Sequence, residues 1–530
     1  MVRSEDLRRE AAPGGEAPPG PPVRGWGART LSSFAIFDIS VAIAIMLAVN
    51  AAGPSRAVVN IPFPATGPPW TFDLHLTVRL VVLALWTASI IGGAGVAVGL
   101  AAVARGAWPS PRWMAAAGLT VAAAFTVLPP AGSTDVLDYA AYGRMVVLGH
   151  NPYVMTPLDL RRQHDPIGFA APHAWQHDVS AYGPLATVEQ AAAAELGGTS
   201  AARIAFWLKL WTALAFGAVA LALDRLLRGA PASRARAHLL WTMNPLLLWD
   251  VVAAGHVDGL AAAFGFFGLV ITGRPHSGQR GDALRALAAG AFVGAAAGMK
   301  APYALFGLGV IWAMRRSLLA LTAAAAGAAA VLVPYYRAFG QAAVTALRSR
   351  TSLTTSDNMY QLFSRLFLHG SVTLPGVLPI AAAASAVAAC LLLWRLPDGF
   401  PAWPAVRPAL AVSLAWLFFW PYQRPWYDAM ALCMLALYPA SWVDWPVLGR
   451  LTAGTFFAMP GMPGKLPRTA FLQVAHLGQV LLVPLARLVT AVGLIIGCLA
   501  GARYRHVPPR PWPEPTDAAR DSGSEVDFTD

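Results

Sequence analysis

The chain has 530 residues, of which 56% are hydrophobic and 12% are charged, and its mean hydropathy is +0.52. Soluble domains carry about 25% charged residues, so this composition excludes an ordinary soluble protein and indicates an integral membrane protein. The formal net charge of +12 does not indicate a nucleic-acid-binding protein, because the sequence has no dense basic stretch with interleaved aromatic residues.

Long apolar runs rich in Ala, Leu, Val and Gly follow one another along most of the chain. They lack strand-like alternation, so they predict spanning helices rather than the strands of a membrane barrel. We predict an all-α polytopic membrane protein with about 14 spans. The runs lie near residues 32–52, 78–104, 113–130, 202–224, 237–253, 257–273, 286–299, 301–314, 317–334, 373–394, 408–421, 427–440, 448–460 and 473–500.

The two ends of the chain differ in composition from this membrane domain, which we place at residues 31–504. Residues 1–30 are rich in Pro, Gly and Arg, and the apolar run that follows has no clear cleavage pattern, so we interpret that run as a first span. Residues 505–530 are Pro-rich and then acidic. Both ends are expected to be disordered and cytoplasmic.

The positions of the arginines predict the orientation of the spans. With the N-terminus in the cytoplasm, alternate connections carry Lys or Arg, for example Arg105, Arg228 and Arg450. This alternation is what the positive-inside rule requires. Residues 131–200 and 335–372 then form two large extracytoplasmic regions.

The polar segment from 133 to 184 lies in the first of these regions. Asp135 and Asp138 directly follow an apolar run, where partial desolvation raises the pKa of a carboxyl group and suits it to act as a general base. They lie three residues apart, on one helical face. The alternative is structural, because Ser-Thr-Asp is also a good start for a helix.

Several other side chains of this segment are candidates for substrate contacts, namely Tyr139, Tyr142, Arg144 and Tyr182. The sequence Gly149-His-Asn-Pro-Tyr153 is typical of a turn and indicates a scaffold more than a reactive group. The apolar run at 186–196 contains Glu189 and Glu195, so it predicts an external or re-entrant helix rather than a span.

His256 and Asp258 lie in a glycine-bounded turn between two apolar runs. A His and an Asp two residues apart could form a metal pair, an acid/base pair, a contact to substrate hydroxyls, or a plain polar turn. No third or fourth metal ligand is evident, and the three cysteines are widely spaced in apolar runs. We therefore predict no metal site.

Cations on the predicted outer side have no role in the positive-inside rule. Lys300, Arg337 and Arg424 are such cations and are candidates to hold a phosphate at the membrane surface, although snorkelling to lipid headgroups is the alternative. Trp426 and Tyr427 follow Arg424 closely. Such aromatics either form an interfacial belt or stack on sugar rings.

These residues together resemble a family. The pattern Asp135-Val-Leu-Asp-Tyr139, then Tyr142-Gly-Arg144, Gly149-His-Asn-Pro-Tyr153 and Tyr182-Gly-Pro-Leu185, is similar to the first large outer loop of actinobacterial polyprenol-phosphate-mannose-dependent mannosyltransferases of the MptA/MptB type. Asn244-Pro245, Gly255-His-Val-Asp258 and Trp426-Tyr-Asp428 also fit. The resemblance covers most of residues 30–500.

The resemblance implies a glycosyltransferase of the GT-C architecture, a many-helix bundle in the plasma membrane with its site on the extracytoplasmic face. In that architecture a carboxylate in an early outer loop is the catalytic base, and Asp135 with Tyr139 meets the Asp-x-x-x-Tyr spacing of related enzymes. It implies alpha-1,6-mannosyl transfer from polyprenyl-phosphate-mannose to a cell-envelope glycan or glycolipid, by inverting displacement. No cofactor is expected, because phosphate leaves without one.

Two other functions stay open. A related transferase that uses another polyprenyl-phosphate sugar or another acceptor would carry the same motifs. A transporter or flippase of a lipid-linked sugar would show internal repeats and broken helices at the membrane midplane. The sequence has no evident repeat, and its polar groups fall on one predicted face.

Overall fold

The computed structural model describes residues 26–64, 66–273, 279–350, 355, 358–367, 374–458 and 470–500. Within these ranges the chain folds into helices, and the only β contact is an isolated antiparallel bridge between Val58 and Ala131. The prediction of an all-α chain is confirmed for this part of the protein.

The described helices, in chain order, are α1 Trp26–Ala52, α2 Val78–Ala104, α3 Pro111–Val127, α4 Asp135–Val147, α5 Pro157–Arg162, α6 Pro166–Ala170, α7 Pro184–Gly197, α8 Ala201–Leu226, α9 Pro231–Leu240, α10 Pro245–Leu247, α11 Asp258–Thr272, α12 Gln279–Met299, α13 Phe306–Met314, α14 Leu318–Arg350, α15 Met359–Phe367, α16 Leu374–Arg395, α17 Val406–Phe419, α18 Ala429–Leu437, α19 Asp444–Ala458 and α20 Ala470–Ala500. A π-helical segment, Leu248–Ala253, follows α10, and 3-10 segments precede α13 and α18.

Seven described helices are long and apolar enough to cross a membrane, or eight if one sharply bent pair counts as a single span. The predicted count of about 14 is therefore not confirmed. Several of the predicted runs form shorter helices, such as Val406–Phe419 and Pro425–Leu437. Because interruptions divide the apolar runs, these helices are shorter than the about 20 residues that a simple transmembrane span requires.

Three of these interruptions place polar groups between apolar helices. The chain bends by 110° between Pro245–Ala253 and α11, and Gly255 in this break has a φ of +70°, which glycine adopts without strain. A second break follows α12 at Lys300, and a third separates α17 from α18. In a continuous span these side chains would point into lipid. At each break they can instead contact other parts of the protein.

The region 131–200 contains the four helices α4 to α7, which matches the predicted mixture of loop and helix. The apolar run with Glu189 forms α7, and this helix is not among the candidate spans. Helices α4 and α7 pack closely at Gly143, where a Cβ would clash with the backbone carbonyl of Gln190. The absence of a side chain there lets α7 hold α4 in place.

Two predicted boundaries differ from the structure. Helix α1 begins at Trp26, inside the segment 1–30 that we expected to be disordered. The region 335–372 is not mainly a loop, because α14 continues to Arg350 with a break in helical geometry at Gly340, and α15 follows. Residues 1–25 and the tail 505–530 lie outside the described residues.

The assignment of Arg450 to a cytoplasmic connection is wrong. Arg450 lies within α19 and is only 3% exposed. Its guanidinium pairs with the carboxylate of Asp428, which precedes α18, and its Nε donates a hydrogen bond of 3.0 Å to the carbonyl of Leu417. A buried charge is tolerated when it is paired in this way, so Arg450 joins helices rather than orienting a span.

Candidate functional site

Four segments of the chain meet beside the first turn of α4. They are α4 itself, the break before α11, the residue that follows α12, and the 3-10 segment Pro425–Asp428. The ring of His256 in the first break stacks on Trp426 with 3.8 Å between centroids. Nζ of Lys300 lies 3.9 Å from the ring centroid of Tyr427. Groups far apart in sequence thus form one cluster.

Asp135 is the first residue of α4 and is 9% exposed. Its own N–H donates to Oγ of Ser133 at 3.2 Å. Among the described residues its Oδ1 has no hydrogen-bond partner, and its Oδ2 lies 3.9 Å from Nδ1 of His256. Burial raises the pKa of Asp135, while the positive charges of Arg424 and Lys300 oppose that rise. One carboxylate oxygen is thus available to accept a proton.

Asp138 lies one turn further along α4 and is 4% exposed. Burial raises the pKa of its carboxyl well above the usual value, and the negative charges of Asp135 and Asp178 raise it further. The two aspartates therefore differ in their surroundings. Cations favour the ionised form of Asp135, whereas anions favour the protonated form of Asp138, so Asp135 is the better base.

His256 is fully buried and connects the cluster. Its Nδ1 lies 3.1 Å from the hydroxyl of Tyr139, so these two groups share a hydrogen bond. The stacked ring of Trp426 fixes the plane of the imidazole. Because Tyr139 belongs to α4, this contact holds the first turn of α4 against the break before α11.

Asp258 and Lys300 form a buried ion pair. Nζ of Lys300 donates to both carboxylate oxygens of Asp258, at 3.0 and 2.8 Å. The hydroxyl of Tyr303 donates to Oδ1 of the same carboxylate at 2.9 Å. The sequence suggested Asp258 and Lys300 as separate substrate contacts, but here each neutralises the other. Arg424 and Lys300 both act electrostatically on Asp135, and the effect of Arg424 is the larger.

Two cavities of opposite character flank the start of α4. The smaller cavity, about 50 Å³, is lined by three carboxylates, Asp135, Asp138 and Asp178, together with aromatic side chains that include Tyr182. The larger cavity, about 490 Å³, is lined by Ser133, Thr134, Trp426, the basic residues Arg56, His173 and Arg424, and no carboxylate. We call the first the acidic cavity and the second the basic cavity.

The remaining candidates fall into three positions. Tyr182 lies in the cluster, with its ring centroid 4.8 Å from that of Tyr139. The hydroxyl of Tyr142 also reaches the acidic cavity, where it donates to the carbonyl of Asp178 at 3.1 Å. Arg144 instead pairs with Asp165 at 2.8 Å, and Arg337 lies exposed on α14. Arg144 is therefore engaged outside the cluster, and Arg337 is an exposed cation on α14.

The Gly-His-Asn-Pro-Tyr turn has the contacts of a scaffold. Oδ1 of Asn151 accepts from the N–H of Tyr153 at 3.0 Å, and its Nδ2 donates to the carbonyl of Phe339 at 3.1 Å. The hydroxyl of Tyr153 donates to the carbonyl of Tyr182 at 2.9 Å. The turn therefore contacts the backbone of Tyr182, which agrees with the scaffold interpretation.

The sequence analysis missed Lys209, which lies fully buried in α8. Its Nζ donates to the carbonyls of Phe125 and Leu128, both at 2.6 Å, and of Pro129 at 3.1 Å. These carbonyls end α3 and begin the segment that leads to Asp135. A cation at a helix C-terminus is favourable, and three acceptors require the three N–H groups of an ammonium. A lone lysine in an apolar span is a sequence signal that could have identified it.

No group of three or more His, Cys, Asp or Glu side chains in the described ranges is arranged to hold a metal ion. His256 contacts Tyr139, and Asp258 contacts Lys300 and Tyr303. The carboxylate of Asp258 and Nδ1 of His256 thus have partners within the protein, and the metal-pair interpretation gains no support from their geometry.

Comparisons with known proteins give one family and two relatives. The sequence model of a family described as "Alpha-(1->6)-mannopyranosyltransferase, N-terminal domain" matches residues 39–316, just over half of the chain. Alpha-(1->6)-mannopyranosyltransferase B of Corynebacterium glutamicum is 24% identical over 393 residues, which cover 67% of this chain and 62% of that protein. A probable alpha-(1->6)-mannopyranosyltransferase of Mycolicibacterium smegmatis is 27% identical over 147 residues, 28% of this chain and 25% of that protein.

The matched part of the chain thus spans less than two thirds of the length of each relative. No solved structure matches the chain. The family match covers α4, the break before α11 and Lys300, and it ends before the segment that carries Arg424 and Trp426.

Proposed function

The chain belongs to this alpha-(1->6)-mannopyranosyltransferase family, and on that premise we propose that it is a membrane mannosyltransferase that uses polyprenyl-phosphate-mannose as donor. The acceptor is a glycan or glycolipid of the cell envelope, extended by an alpha-1,6-linked mannose. Its two similarly named relatives support the sugar and the linkage. The lipid-linked donor is our inference from the resemblance and from the cavities beside Asp135.

The observation that carries the proposal is the position of Asp135 between the two cavities. Its neighbours Ser133 and Thr134 line the basic cavity, and Asp135 itself lines the acidic cavity. A direct displacement needs a base on the acceptor side of the reacting carbon and a leaving group on the opposite side. The two cavities supply a place for each.

The reaction balances without a further reactant. The acceptor hydroxyl oxygen forms a bond to the anomeric carbon of mannose, and the bond between that carbon and the phosphate oxygen breaks. Asp135 accepts the hydroxyl proton, and the polyprenyl phosphate leaves with the bonding electron pair. One displacement inverts the anomeric carbon, so a β-linked donor gives an α-mannoside.

The basic cavity is the proposed place for the donor phosphate. Arg424 lines it and also acts electrostatically on Asp135, so the phosphate and the base share one cation. A guanidinium suits phosphate because it offers several N–H donors in one plane. Lys300 contributes more distantly, because its ammonium is engaged by Asp258.

We place the site on the extracytoplasmic side of the plasma membrane, with both termini in the cytoplasm. The support is the arginine distribution, apart from Arg450, and the chemistry of the donor. Nucleotide sugars are cytosolic, so a transferase that acts outside requires a sugar carried by a lipid. The protein is thus embedded in the same bilayer that supplies its lipid-linked donor.

The test of this function uses membranes of cells that express the chain or lack it. They receive polyprenyl-phosphate-mannose labelled in the sugar, or labelled nucleotide-linked mannose under conditions that block its conversion to the lipid-linked form. We expect label in an alpha-1,6-linked glycan from the lipid donor alone. Transfer from the nucleotide sugar, or no transfer to any envelope acceptor, would contradict the proposed donor. Chain-dependent movement of intact labelled lipid without transfer would identify a flippase.

A further inference from the structure

A long apolar groove lies between α2, α19 and α20. We propose that this groove binds the isoprenoid chain of the donor, so that its phosphate enters the basic cavity; this inference rests on the proposed function. The groove has a volume of about 510 Å³. Its lining includes Ala94 of α2, Trp445, Thr452, Ala453 and Phe456 of α19, and Ala486 of α20. We call this cavity the chain groove.

The chain groove has the composition of a site for a flexible hydrocarbon. Thr452 carries the only polar side-chain group other than the indole of Trp445, and no lining residue is charged. From Trp445 to Phe456 the groove follows α19 for roughly 16 Å, at 1.5 Å of rise per residue. This length accommodates several isoprene units. Small side chains such as Ala94 and Ala453 leave the space open.

The linings of the chain groove and the basic cavity adjoin at the end of α19. Phe456 lines the groove, whereas the next residues of α19, Phe457 and Ala458, line the basic cavity. At this junction Trp86 of α2 stacks on Phe456 with 4.8 Å between centroids. An apolar channel and a positively charged chamber therefore share one helix end.

A buried cation marks the same junction. Arg487 of α20 is 3% exposed, and its guanidinium lies 6.0 Å from the ring centroid of Phe457. The preceding residue, Ala486, lines the chain groove. A second arginine therefore lies close to the place where the linings of the groove and the basic cavity adjoin.

These features together fit one kind of molecule, an amphiphile with a single long chain and an anionic phosphate head. In the chain groove the hydrocarbon chain stays in contact with apolar side chains and lipid. The phosphate then lies beside the positively charged residues of the basic cavity. Asp135 lies beyond that cavity, beside Ser133 and Thr134. A sugar on the phosphate would thus reach the proposed base. An ordinary phospholipid in the groove is the competing occupant.

The first test compares two donors with the purified full-length chain. One carries a full polyprenyl chain, and the other is methyl phosphate mannose, which has no isoprene unit to place in the groove. Ala94→Leu and Ala453→Leu narrow the groove. We expect each variant to raise KM for the long donor about tenfold, which corresponds to losing the burial of roughly two methylene groups, and to leave kcat for that donor and both constants for the methyl donor unchanged.

The matched control is Ala329→Leu, which enlarges an exposed alanine on α14, outside the chain groove. It should change neither KM. Equal effects of the groove variants on both donors would show a general defect, and no effect on either would show that the chain lies elsewhere. Each of these outcomes overturns the proposal.

A second test does not depend on sugar transfer, so it separates this proposal from the proposed function. A polyprenyl phosphate with a photoreactive group in its chain is irradiated with the wild-type protein, and the labelled peptides are identified. We expect label on α2 and α19, removed by excess unlabelled polyprenyl phosphate and retained with excess phosphatidylglycerol. Equal competition by both lipids would identify the groove as an ordinary lipid contact and overturn the proposal.

Discussion

The carboxylate of Asp135 lies 3.9 Å from Nδ1 of His256, and the same nitrogen lies 3.1 Å from the hydroxyl of Tyr139. A residue at the start of α4 is thereby fixed against the break before α11. The imidazole occupies one side of the carboxylate, and Oδ1 remains available on the other. This arrangement orients a base without consuming its second oxygen.

Replacing the two aspartates separately should distinguish their roles. Asp135→Asn is expected to reduce kcat about 100- to 10,000-fold, because the amide cannot accept the hydroxyl proton. Asp138→Asn should retain most activity, because the surroundings of Asp138 already favour its neutral form. Labelled-sugar transfer, normalised to the amount of folded protein in the membrane, measures both. Equal activity of wild type and Asp135→Asn would refute the assignment.

The pH profile follows from the raised pKa of Asp135. Activity requires the ionised carboxylate, so kcat/KM should rise with pH and reach its plateau above the range of an ordinary aspartate, whose pKa is about 3.9. Arg424 lowers the pKa of Asp135, so Arg424→Gln should move this acid limb to higher pH. An unchanged limb in Arg424→Gln would show that another group controls it.

Lys209 is expected to act as a positioning residue. Lys209→Met removes all three donors to the end of α3, and Lys209→Gln keeps two N–H groups. If these bonds position Asp135, kcat should decrease from wild type to Gln to Met, by up to about 100-fold, with little change in KM. Melting temperatures in detergent control for unfolding. A folded Lys209→Met variant with wild-type kcat would rule out the role.

The ion pair between Asp258 and Lys300 predicts a specific pattern of stability. Lys300→Met leaves a buried carboxylate without its cation, which is expected to destabilise the protein by about 3–5 kcal/mol. Adding Asp258→Asn to Lys300→Met should recover part of that loss. Arg337→Met, which removes an exposed cation, is the control and should have little effect. Additive losses in the double variant would argue against the pairing.

The proposed orientation is testable with single cysteines. Gln163 is exposed in the region of α4 to α7, and Arg228 is exposed beyond the other end of α8. In a chain with the exposed Cys390 replaced by alanine, Gln163→Cys should react with an impermeant thiol reagent in intact cells, and Arg228→Cys should react only after lysis. The reverse pattern would invert the topology.

The sequence predicted much of the site because its local patterns carry chemical meaning. Asp135 and Asp138 follow an apolar run in a segment too polar for hydrocarbon, and His256 lies in a turn bounded by glycine. Both signals are local, and the structure brings these groups together. Arg144 and Arg337 were less predictable, because a cation in sequence does not reveal whether a carboxylate such as Asp165 engages it.

The predicted span count is not confirmed, for a related reason. Hydropathy detects apolar composition, but it does not show that a helix ends at Gly255 or Lys300 and turns sharply. Likewise, Arg450 fitted the positive-inside pattern, and only its contact with Asp428 reveals a buried residue. In an apolar chain, the sequence does not show whether a charged residue is exposed to water or buried against a residue of opposite charge.

The sequence by itself indicated a helical membrane protein of a mannosyltransferase family, and it singled out the polar segment after α3 as the proposed place of its chemistry. Composition and short motifs suffice for this, because membrane insertion and family signatures depend on residues close together in the chain. Tertiary structure alone decided that Asp135 lies between an acidic and a basic cavity, that Lys300 is engaged by Asp258, and that Lys209 supports the approach to Asp135. Each of these depends on long-range packing, which sets the local charge and solvation of a group and therefore what it can do.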